Sequence, residues 1–269
     1  MIDFLKEMSY YDYRGAMTMF TEERFNIILQ ELKIKGIVSV TDLVKLLDAS
    51  ESTIRRDLNA LDGEGLLKKI HGGAIAIGES TSKHDYKVNI RQSLNVDEKY
   101  EIAKYAASLI EEGDMIYLDA GTTTELIIDF IEASDLTVVT NGIVHAKKLL
   151  ERGYKTFIVG GEVKALTEAI VGSSVVEDLK KYNFSKGFFG VNGVSNLSGY
   201  TTPDVNEAMV KAQAMKLCKE SFVLADESKL EKVSFITFGA IKDSTLITTK
   251  ISDNSINYDT KVIEVMKID

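Results

Sequence analysis

Helical and strand-like segments alternate from residue 98 to the end of the chain, and no other feature of the sequence constrains the fold as strongly. Short apolar runs such as Met115–Leu118 and Thr156–Val159 predict buried strands, and apolar periods of helical spacing predict helices between them. Parallel strands need crossover connections, so this order favours a mostly parallel sheet covered by helices. We therefore predict an α/β domain over residues 98–269.

Polar and glycine-bearing turns follow several of these predicted strands. Ligands of open parallel sheets bind at the carboxyl ends of the strands, so the turns predict a small-molecule pocket. The stretch Asp119–Thr124, DAGTTT, offers a glycine, hydroxyls and helix-start amides that favour an anion such as phosphate. A plain helix-capping turn is the alternative. The candidate ligand-binding residues are Asp119, Gly121, Thr122, Thr123, Thr124, Asn141, Gly161, Asn192 and Lys229.

Three of these candidates have a distinct expected role. Lys229 would bring positive charge to a phosphate, and its alternative is an ordinary surface lysine. Asp119 and Asn141 could bind sugar hydroxyls, and their alternative is loop capping, which both residue types do often.

Residues 21–76 have a different pattern: helix, short strand, helix, tight turn, helix and β-hairpin. Thr21, Thr41 and Ser50 are the expected N-caps of the three helices. This order is typical of a winged helix-turn-helix domain. Residues 1–20, which lack a clear period, are expected to be an N-terminal tail or start-site extension, and the polar residues 77–97 to be a linker.

The third predicted helix has two contrasting faces. One is an apolar stripe of Ile54, Leu58 and Leu61. The other carries two guanidinium groups, an amide and a hydroxyl, which match the base edges of the DNA major groove. A solvated helix face is the alternative, but the third position in a compact unit before a basic hairpin favours DNA. The candidate DNA-binding residues are Ser50, Ser52, Thr53, Arg55, Arg56, Asn59, Lys68, Lys69, His71 and Gly72.

Charge limits how such a domain could bind DNA. The chain carries a net charge of −9, and residues 21–73 hold 8 Lys and Arg against 9 Asp and Glu, a net −1. DNA binding must therefore use a local basic patch, because no global positive field exists. Lys68, Lys69 and His71 in the hairpin could add phosphate or minor-groove contacts. We expect Asp57 to orient an arginine or a packing neighbour.

These motifs resemble those of a known family. Arg24, Ile28, the stretch SESTIRRDL (50–58) and the stretch LLKKIHGGA (66–74) resemble the DNA-binding domain of the DeoR family of bacterial transcriptional regulators. Residues 90–250 resemble the sugar-phosphate sensor domain of that family, whose fold is similar to that of ribose-phosphate isomerases. The resemblance implies operator DNA and a phosphorylated sugar as partners, and it covers nearly the whole chain except the first twenty residues.

Within the family, the segment GYTTPD (199–204), followed by Glu207 and Ala208, most resembles fructose-operon repressors of Gram-positive bacteria. That resemblance implies a repressor released by fructose 1-phosphate. Regulators that answer to tagatose, galactitol or deoxyribose phosphates share most of the motifs and remain alternatives. An activator also remains possible from the sequence.

A sugar-phosphate isomerase is the rival interpretation. The loop Gly190–Ser195 contains no carboxylate where isomerase relatives carry a cluster of acids, and Asp204 and Glu207 begin a predicted helix. The three histidines show no metal-ligand spacing. We therefore expect no enzyme activity, no metal and no cofactor. A sugar-phosphate-binding protein with a protein-interaction module at its N-terminus is a third interpretation, and substitution of Arg55 or Arg56 would distinguish it.

Assembly and location follow from simpler arguments. A single winged helix reads too few bases for genomic specificity, so we expect a homo-oligomer, dimer or tetramer, joined by the sensor domain. The chain has one cysteine, no run of eighteen apolar residues and no basic-then-apolar leader pattern. We therefore expect a cytoplasmic protein that does not enter a membrane.

Overall fold

The chain folds as two compact units, Met1–Glu79 and Ser80–Asp269, in the computed structural model. The structure describes residues 20–70, 72–76, 88–92, 94–249, 251 and 258–265. The expectations for the N-terminal tail and for His71 fall outside these residues. Among the helices that are described, none is both long and apolar enough to cross a membrane.

The first unit combines three helices with a three-stranded antiparallel sheet of strand order β1-β3-β2. This is the winged helix-turn-helix arrangement that the sequence predicts. Its elements are α1 (Thr21–Lys35), β1 (Ile37–Ser39), α2 (Val40–Leu47), α3 (Glu51–Gly63), β2 (Leu67–Ile70) and β3 (Gly73–Ala76).

Hydroxyl caps begin α2 and α3, and two of the three helix starts differ from the expected ones. Ser50 caps α3 as predicted, because its Oγ accepts a hydrogen bond from the Thr53 amide at 3.2 Å. The cap of α2 is Ser39, whose Oγ accepts from the Asp42 amide at 3.0 Å, so the prediction of Thr41 is wrong by two residues. Thr21 is the first residue of α1 and makes no cap.

The core of the first unit confirms the predicted stripe of α3. Ile54, Leu58 and Leu61 are fully buried and pack with Ile28 of α1 and Leu43 of α2. Each such side chain contributes about 1.5–3 kcal/mol when it leaves water. The opposite face of α3 is thereby fixed toward solvent.

The second unit is an α/β domain with a seven-stranded parallel sheet. Its helices are α4 (Val88–Gln92), α5 (Val96–Ala107), α6 (Thr122–Phe130), α7 (Ile143–Glu151), α8 (Ser173–Leu179) and α9 (Val205–Lys216). Its strands are β4 (Met115–Leu118), β5 (Thr137–Thr140), β6 (Lys155–Ile158), β7 (Glu162–Lys164), β8 (Ala169–Val171), β9 (Phe184–Gly190), β10 (Gly193–Ser195), β11 (Gly199–Thr202), β12 (Cys218–Ala225), β13 (Ile236–Gly239), β14 (Thr245–Thr248) and β15 (Val262–Glu264).

The strand order of the large sheet is β15-β14-β12-β9-β4-β5-β6. All strands run parallel, but the chain adds β5 and β6 on one side of β4 and the later strands, from β9 on, on its other side. Successive strand residues face opposite layers, so Tyr117 and Phe189 belong to one apolar core and Leu118 and Phe188 to the other. A reversal of this kind opens a crevice beyond the carboxyl ends of the two strands. The crevice therefore begins at Asp119 and Gly190.

Three features of this unit were not expected from the sequence. The hairpin β7–β8 and the three-stranded antiparallel sheet β10-β11-β13 lie outside the parallel sheet. In addition, α4 forms within the predicted linker 77–97, and the Val88 amide donates to the Leu166 carbonyl at 3.2 Å. Residues from Val88 onward therefore belong to the second unit, and the linker prediction is wrong for them.

Candidate functional site

The exposed face of α3 is the first candidate site. Ser52, Arg55, Arg56 and Asn59 are exposed, whereas Thr53 is half-buried. The Ser50 hydroxyl lies 2.9 Å from the Ser52 hydroxyl and 2.8 Å from that of Thr53. The face therefore presents the donors and acceptors that the sequence places there.

The two arginines of α3 differ in their surroundings. The Arg55 guanidinium donates to Glu51 one turn earlier, with Nε–Oε1 at 3.0 Å and Nη2–Oε1 at 2.6 Å. Both side chains are half or more exposed, so this pair contributes only about 0.3–0.5 kcal/mol. Arg56 forms no ion pair with any residue that the structure describes. Neither guanidinium is held so strongly that DNA could not recruit it.

Asp57 faces away from this surface. Its carboxylate is buried and accepts two hydrogen bonds from Arg24 of α1. The expectation that Asp57 orients an arginine agrees with this contact. Asp57 fixes the angle between α1 and α3 and so positions the exposed face of α3.

The β2–β3 hairpin lies against the C-terminal half of α3. Lys68 and Lys69 are exposed on β2. The Lys69 ammonium donates to Asn59 Oδ1 at 2.5 Å, and the Lys69 amide donates to Asp62 Oδ1 at 2.8 Å. Gly72 turns the hairpin with φ of 81°, a left-handed conformation that favours glycine. Helix and hairpin therefore form one continuous polar surface with four cations.

A cleft at the strand reversal is the second candidate site. It is open to solvent, and its empty volume, including the part open to solvent, is about 770 Å³. Its charged lining residues are Arg91, Lys99, Glu207, Lys211, Asp226 and Lys229.

The N-terminus of α6 forms one wall of the cleft. Gly121 precedes the helix and makes no side-chain cap, while Thr122 and Thr123 follow it along the cleft wall. The first amides of a helix lack partners within it and carry partial positive charge, which stabilises anions. Four cationic side chains on the same cleft add to this potential.

A buried ion pair joins the strands at the reversal. Asp119 is 1% exposed and binds the Lys211 ammonium of α9, while the Gly190 amide donates to Asp119 Oδ2 at 3.0 Å. Burial raises the pKa of Asp119, and the charge of Lys211 acts against that rise. Lys211 also donates to the Gly190 carbonyl at 3.1 Å. Asp119 therefore holds Lys211 at the cleft and does not line the cleft itself.

A second lysine reaches the cleft from α5. Lys99 is 5% exposed, and its ammonium donates to the Arg91 carbonyl at the end of α4. Burial lowers the pKa of Lys99 to about 8, and the nearby Asp226 carboxylate opposes this effect. The charge of Lys99 is therefore sensitive to what occupies the cleft.

Asp226 lies on the wall of the cleft opposite α6 and contacts Asn95, which precedes α5. Its Oδ1 accepts from Asn95 Nδ2 at 2.8 Å and from the Ser228 amide at 3.1 Å. Burial alone would raise the pKa of Asp226, but Lys229, Ser228, Lys99 and Asn95 together lower it. The carboxylate is held ionised in this network.

His145 of α7 supports the loop before α6. Its Nε2 lies 3.1 Å from the Thr124 hydroxyl and 3.5 Å from the Gly121 amide nitrogen. Burial lowers the pKa of His145 to about 3, so the imidazole is neutral at physiological pH. The Thr124 hydroxyl donates back to the carbonyls before α6. His145 and Thr124 thus brace the loop from beneath.

The structure brings together only part of the predicted ligand-binding set. The predicted residues that line the cleft are Gly121, Thr122, Thr123, Asn192 and Lys229. Asp119 and Thr124 lie beneath the loop, as described above. Asn141 is buried and bonds the Ala120 amide at 2.9 Å and the Ile170 carbonyl at 3.2 Å. Loop capping, the alternative for Asn141, is therefore what the structure has.

Gly161 is also outside the cleft. A Cβ at Gly161 would come within 2.6 Å of the Val175 side chain and 2.7 Å of the Val171 carbonyl oxygen. The absence of a side chain lets the segment after β6 pack against β8 and α8. Close packing therefore explains the glycine at position 161, and Gly161 does not line the cleft.

Sequence reasoning missed Arg91, Lys99, Lys211 and Glu207 as cleft residues. Two of them had a signal, since Lys99 shares the buried side of α5 with Ile102 and Lys211 shares that of α9 with Ala214. A lysine in the apolar stripe of a helix needs an anion or a cavity. Arg91 gave no signal because it falls in the five-residue helix α4.

The cleft offers little for isomerase chemistry. Glu207 binds Lys164 at 3.1 Å and Thr167 at 2.8 Å, and Asp226 is tied as described. The Glu207 carboxylate is thus occupied by contacts within the protein. Within the described ranges, no group of three or more His, Cys, Asp and Glu side chains could hold a metal ion.

Two family models match the chain. Residues 24–80 match a DeoR-like helix-turn-helix domain, and residues 94–250 match a DeoR C-terminal sensor domain. The first range contains the exposed face of α3. The second contains nearly all of the cleft lining, from Leu94 to Lys229.

Curated relatives align along most of the chain. An uncharacterized HTH-type transcriptional regulator FruR of Bacillus subtilis is 43% identical over 252 residues, which are 93% of this chain and 100% of the relative. A lactose phosphotransferase system repressor of Streptococcus mutans is 35% identical over 88% of this chain and 94% of its own. The corresponding repressor of Staphylococcus aureus is also 35% identical, over 87% of this chain and 94% of its own.

Solved structures match more weakly. A ribose 5-phosphate isomerase A from Methanocaldococcus jannaschii covers 51% of this chain and 55% of its own, with 20% identity and a TM-score of 0.38. A translation initiation factor eIF-2B from Pyrococcus horikoshii covers 80% and 73%, with 13% identity and a TM-score of 0.39. These scores are too low to support an inference about function.

Proposed function

This chain belongs to the DeoR family of DNA-binding transcriptional regulators, and from that premise we propose that it represses a sugar-utilisation operon and leaves its operator when a phosphorylated sugar binds. Fructose 1-phosphate is the proposed effector. The observation that carries the proposal is the pairing, in one chain, of the exposed arginine face of α3 with an anion-favouring cleft in the second unit.

Operator reading is assigned to the α3 face and the hairpin beside it. Arg55 and Arg56 would donate to guanine edges and Asn59 to adenine, which are the pairings that major-groove geometry favours. Ser50, Ser52, Thr53, Lys68, Lys69 and Gly72 would contact the phosphate backbone. These contacts fix register, whereas the base contacts of the arginines give sequence preference.

Effector binding is assigned to the cleft. The phosphate would bind at the start of α6, at the amides of Thr122 and Thr123, with Lys229 and Lys211 supplying charge. Asn192 and Glu207 are the polar groups that remain for sugar hydroxyls. A fructose pathway is favoured because the segment GYTTPD (199–204) resembles that of fructose-operon repressors, and one relative is the Bacillus subtilis regulator FruR. The lactose phosphotransferase repressors make other phosphorylated sugars the alternative.

Release follows from linkage between the two sites. If the effector weakens operator binding by some factor, the operator must weaken effector binding by the same factor. A coupling of about 1–3 kcal/mol gives a useful switch. The protein would act as a homo-oligomer on repeated half-sites spaced by about one DNA turn.

The experiment is a titration of labelled promoter DNA by the full chain, read by fluorescence anisotropy with and without each sugar phosphate. Fructose 1-phosphate should weaken operator binding, and fructose 6-phosphate, tagatose 6-phosphate and inorganic phosphate should do so less. Arg56→Ala should cost about 1–3 kcal/mol of operator binding, because it removes a base contact. Lys229→Ala should leave operator binding intact and abolish release.

Lys147→Ala is the matched control, because Lys147 is an exposed lysine of the second unit outside the cleft. It should alter neither binding nor release. Operator binding that no sugar phosphate changes would defeat the effector assignment. Equal binding of any DNA sequence, unaffected by Arg56→Ala, would defeat the operator assignment.

A further inference from the structure

Among the residues that the structure describes, no strand pairs with the outer edge of β6. β6 is the last strand of the seven-stranded sheet, and β7 and β8 form a separate two-stranded sheet. Within the residues that the structure describes, β5 is the only strand that pairs with β6. Such an edge is a template for another strand unless charge, proline or a covering element blocks it.

The register of the sheet identifies which backbone groups this edge offers. Val159 donates its amide to the Thr140 carbonyl at 3.2 Å, so residues 155, 157 and 159 direct their backbone groups toward β5. Successive residues of a strand alternate, so the amides and carbonyls of Thr156 and Ile158 point away from the sheet. Two donors and two acceptors are therefore placed along the open edge.

The side chains on β6 are unusually exposed for a strand of this sheet. Phe157 is 40% exposed and Ile158 is 47% exposed. Its neighbour β5, by contrast, buries three of its four residues. Lys155 is the single charged residue of β6 and is exposed. One charge at the start of a strand does little to prevent another strand from pairing with it.

We propose that the β6 edge is the self-association surface of this protein, with a second copy of the chain pairing antiparallel across a two-fold axis at Phe157. In that register Thr156 and Ile158 of the second copy exchange both backbone hydrogen bonds. The two Phe157 residues then face each other as the close, non-hydrogen-bonded pair, with Cα atoms about 4.5 Å apart. Cross-strand aromatic pairs of this kind stabilise a sheet.

Charge favours the antiparallel direction. Lys155 begins the strand and Glu162 follows its end, and both are exposed. A parallel copy would set like charges side by side, whereas an antiparallel copy turns the Lys155 end of one chain toward the Glu162 end of the other. An isologous two-fold contact is also the commonest way in which identical chains associate.

The inference goes beyond the proposed function, which requires an oligomer but assigns no surface. Other exposed apolar side chains of the second unit, Val205 and Met209 on α9 and Phe235 before β13, offer a rival surface. The β6 edge is preferred because it adds unpaired backbone groups to the apolar side chains. The rival surface provides the control for the test.

Disulfide trapping tests the register directly in the full-length protein. Phe157→Cys should give a cross-linked dimer under mild oxidation, because about 4.5 Å between Cα atoms lies within disulfide range. Ile158→Cys should cross-link far less, since its symmetry mate is diagonal. The parental chain controls for Cys218, whose pKa burial raises to about 12, leaving an unreactive thiol.

Size-exclusion chromatography with light scattering gives a second test that needs no disulfide. Phe157→Glu should raise the dimer dissociation constant by at least about tenfold, because the axis sets two carboxylates against each other. Phe235→Lys should leave it unchanged. An oligomer broken by Phe235→Lys but not by Phe157→Glu would overturn the inference and spare the proposed function. A parental chain that stays monomeric on operator DNA would overturn both the inference and the proposed half-site reading.

Discussion

The Arg24 guanidinium and the Asp57 carboxylate form a two-pronged ion pair, with Nε–Oδ2 at 2.7 Å and Nη2–Oδ1 at 3.0 Å. The side chains are only 12% and 4% exposed. The contact with Asp57 raises the pKa of Arg24 above its already high value. This pair connects the first and third helices of the DNA-binding unit and so sets the direction of the α3 face.

Asp57→Ala should therefore destabilise the first unit by about 3–5 kcal/mol, because it removes the carboxylate against which the Arg24 guanidinium is largely buried. Hydrogen exchange of the α3 amides measures this loss without interference from the second unit. The double variant Arg24→Met/Asp57→Leu should lose less than the sum of the two single changes. Strict additivity would mean that the pair contributes nothing to the orientation of α3.

Glu51→Gln should strengthen operator binding. The substitution frees the Arg55 guanidinium and removes a negative charge from the face that we propose meets the DNA. The exposed pair is weak, so the gain should stay below about 1 kcal/mol. Anisotropy titrations at several salt concentrations measure it, with Glu22→Gln, an exposed acid of α1, as control. Weaker binding by Glu51→Gln would mean that Glu51 holds Arg55 in its productive position.

Effector affinity should fall as pH rises above about 8, the value to which burial lowers the pKa of Lys99. An anion favours the charged ammonium, whereas a sugar phosphate is already dianionic there, since its second pKa is about 6. Each pH unit above 8 should cost up to about 1.4 kcal/mol. The charged groups around Lys99 are Asp226, Lys229, Arg91 and Glu98. Calorimetry from about pH 7 to 9.5 measures the decline.

Lys99→Arg controls for this interpretation, because a guanidinium stays charged throughout that range and should flatten the profile. Titration of Lys99 does not itself destabilise the fold in this range. The folded-state pKa of Lys99 is below its ordinary value of 10.5, so the unfolded chain binds more protons between the two values. The contribution of Lys99 to stability therefore increases with pH over that interval. A decline that persists in Lys99→Arg would assign the titration to another group.

Gly161→Ala should destabilise the second unit without weakening effector binding in protein that remains folded. The new methyl group meets the Val175 side chain and the Val171 carbonyl, and overpacking of this kind costs about 1–3 kcal/mol. Gly160→Ala is the matched control, since nothing lies within 4 Å of a Cβ there. Thermal unfolding and calorimetry separate the two effects. Selective loss of effector binding in Gly161→Ala would return this glycine to the ligand site.

The sequence was sufficient for the architecture because the features that define it are local. Each strand of the parallel sheet contains a short apolar run, and the α3 stripe of Ile54, Leu58 and Leu61 repeats at helical spacing. Helix α4 was not predicted, because its five residues are too few to show a helical repeat of apolar positions. The hairpin β7–β8 was not predicted, because its three-residue strands are too short to show an alternation of apolar and polar residues.

The candidate cleft could be located from the sequence more readily than its side chains could be chosen. The rule for strand ends led to the DAGTTT loop and to Lys229. Asn141 and Gly161 also follow strands, but one caps a neighbouring loop and the other packs against Val175. A local motif does not distinguish these uses, because the deciding partners lie about 10 to 30 residues away along the chain.

The hydrogen bond between Asn95 and Asp226 closes the far wall of the cleft across 131 residues of chain. The Arg24–Asp57 pair of the first unit spans only 33. During synthesis the N-terminal unit can therefore complete its own core while most of the sensor is still unmade. On a ribosome, the DNA-binding unit is therefore made before the sensor domain, and a chain that stops short of Asp226 carries a complete DNA-binding unit beside an unfinished cleft.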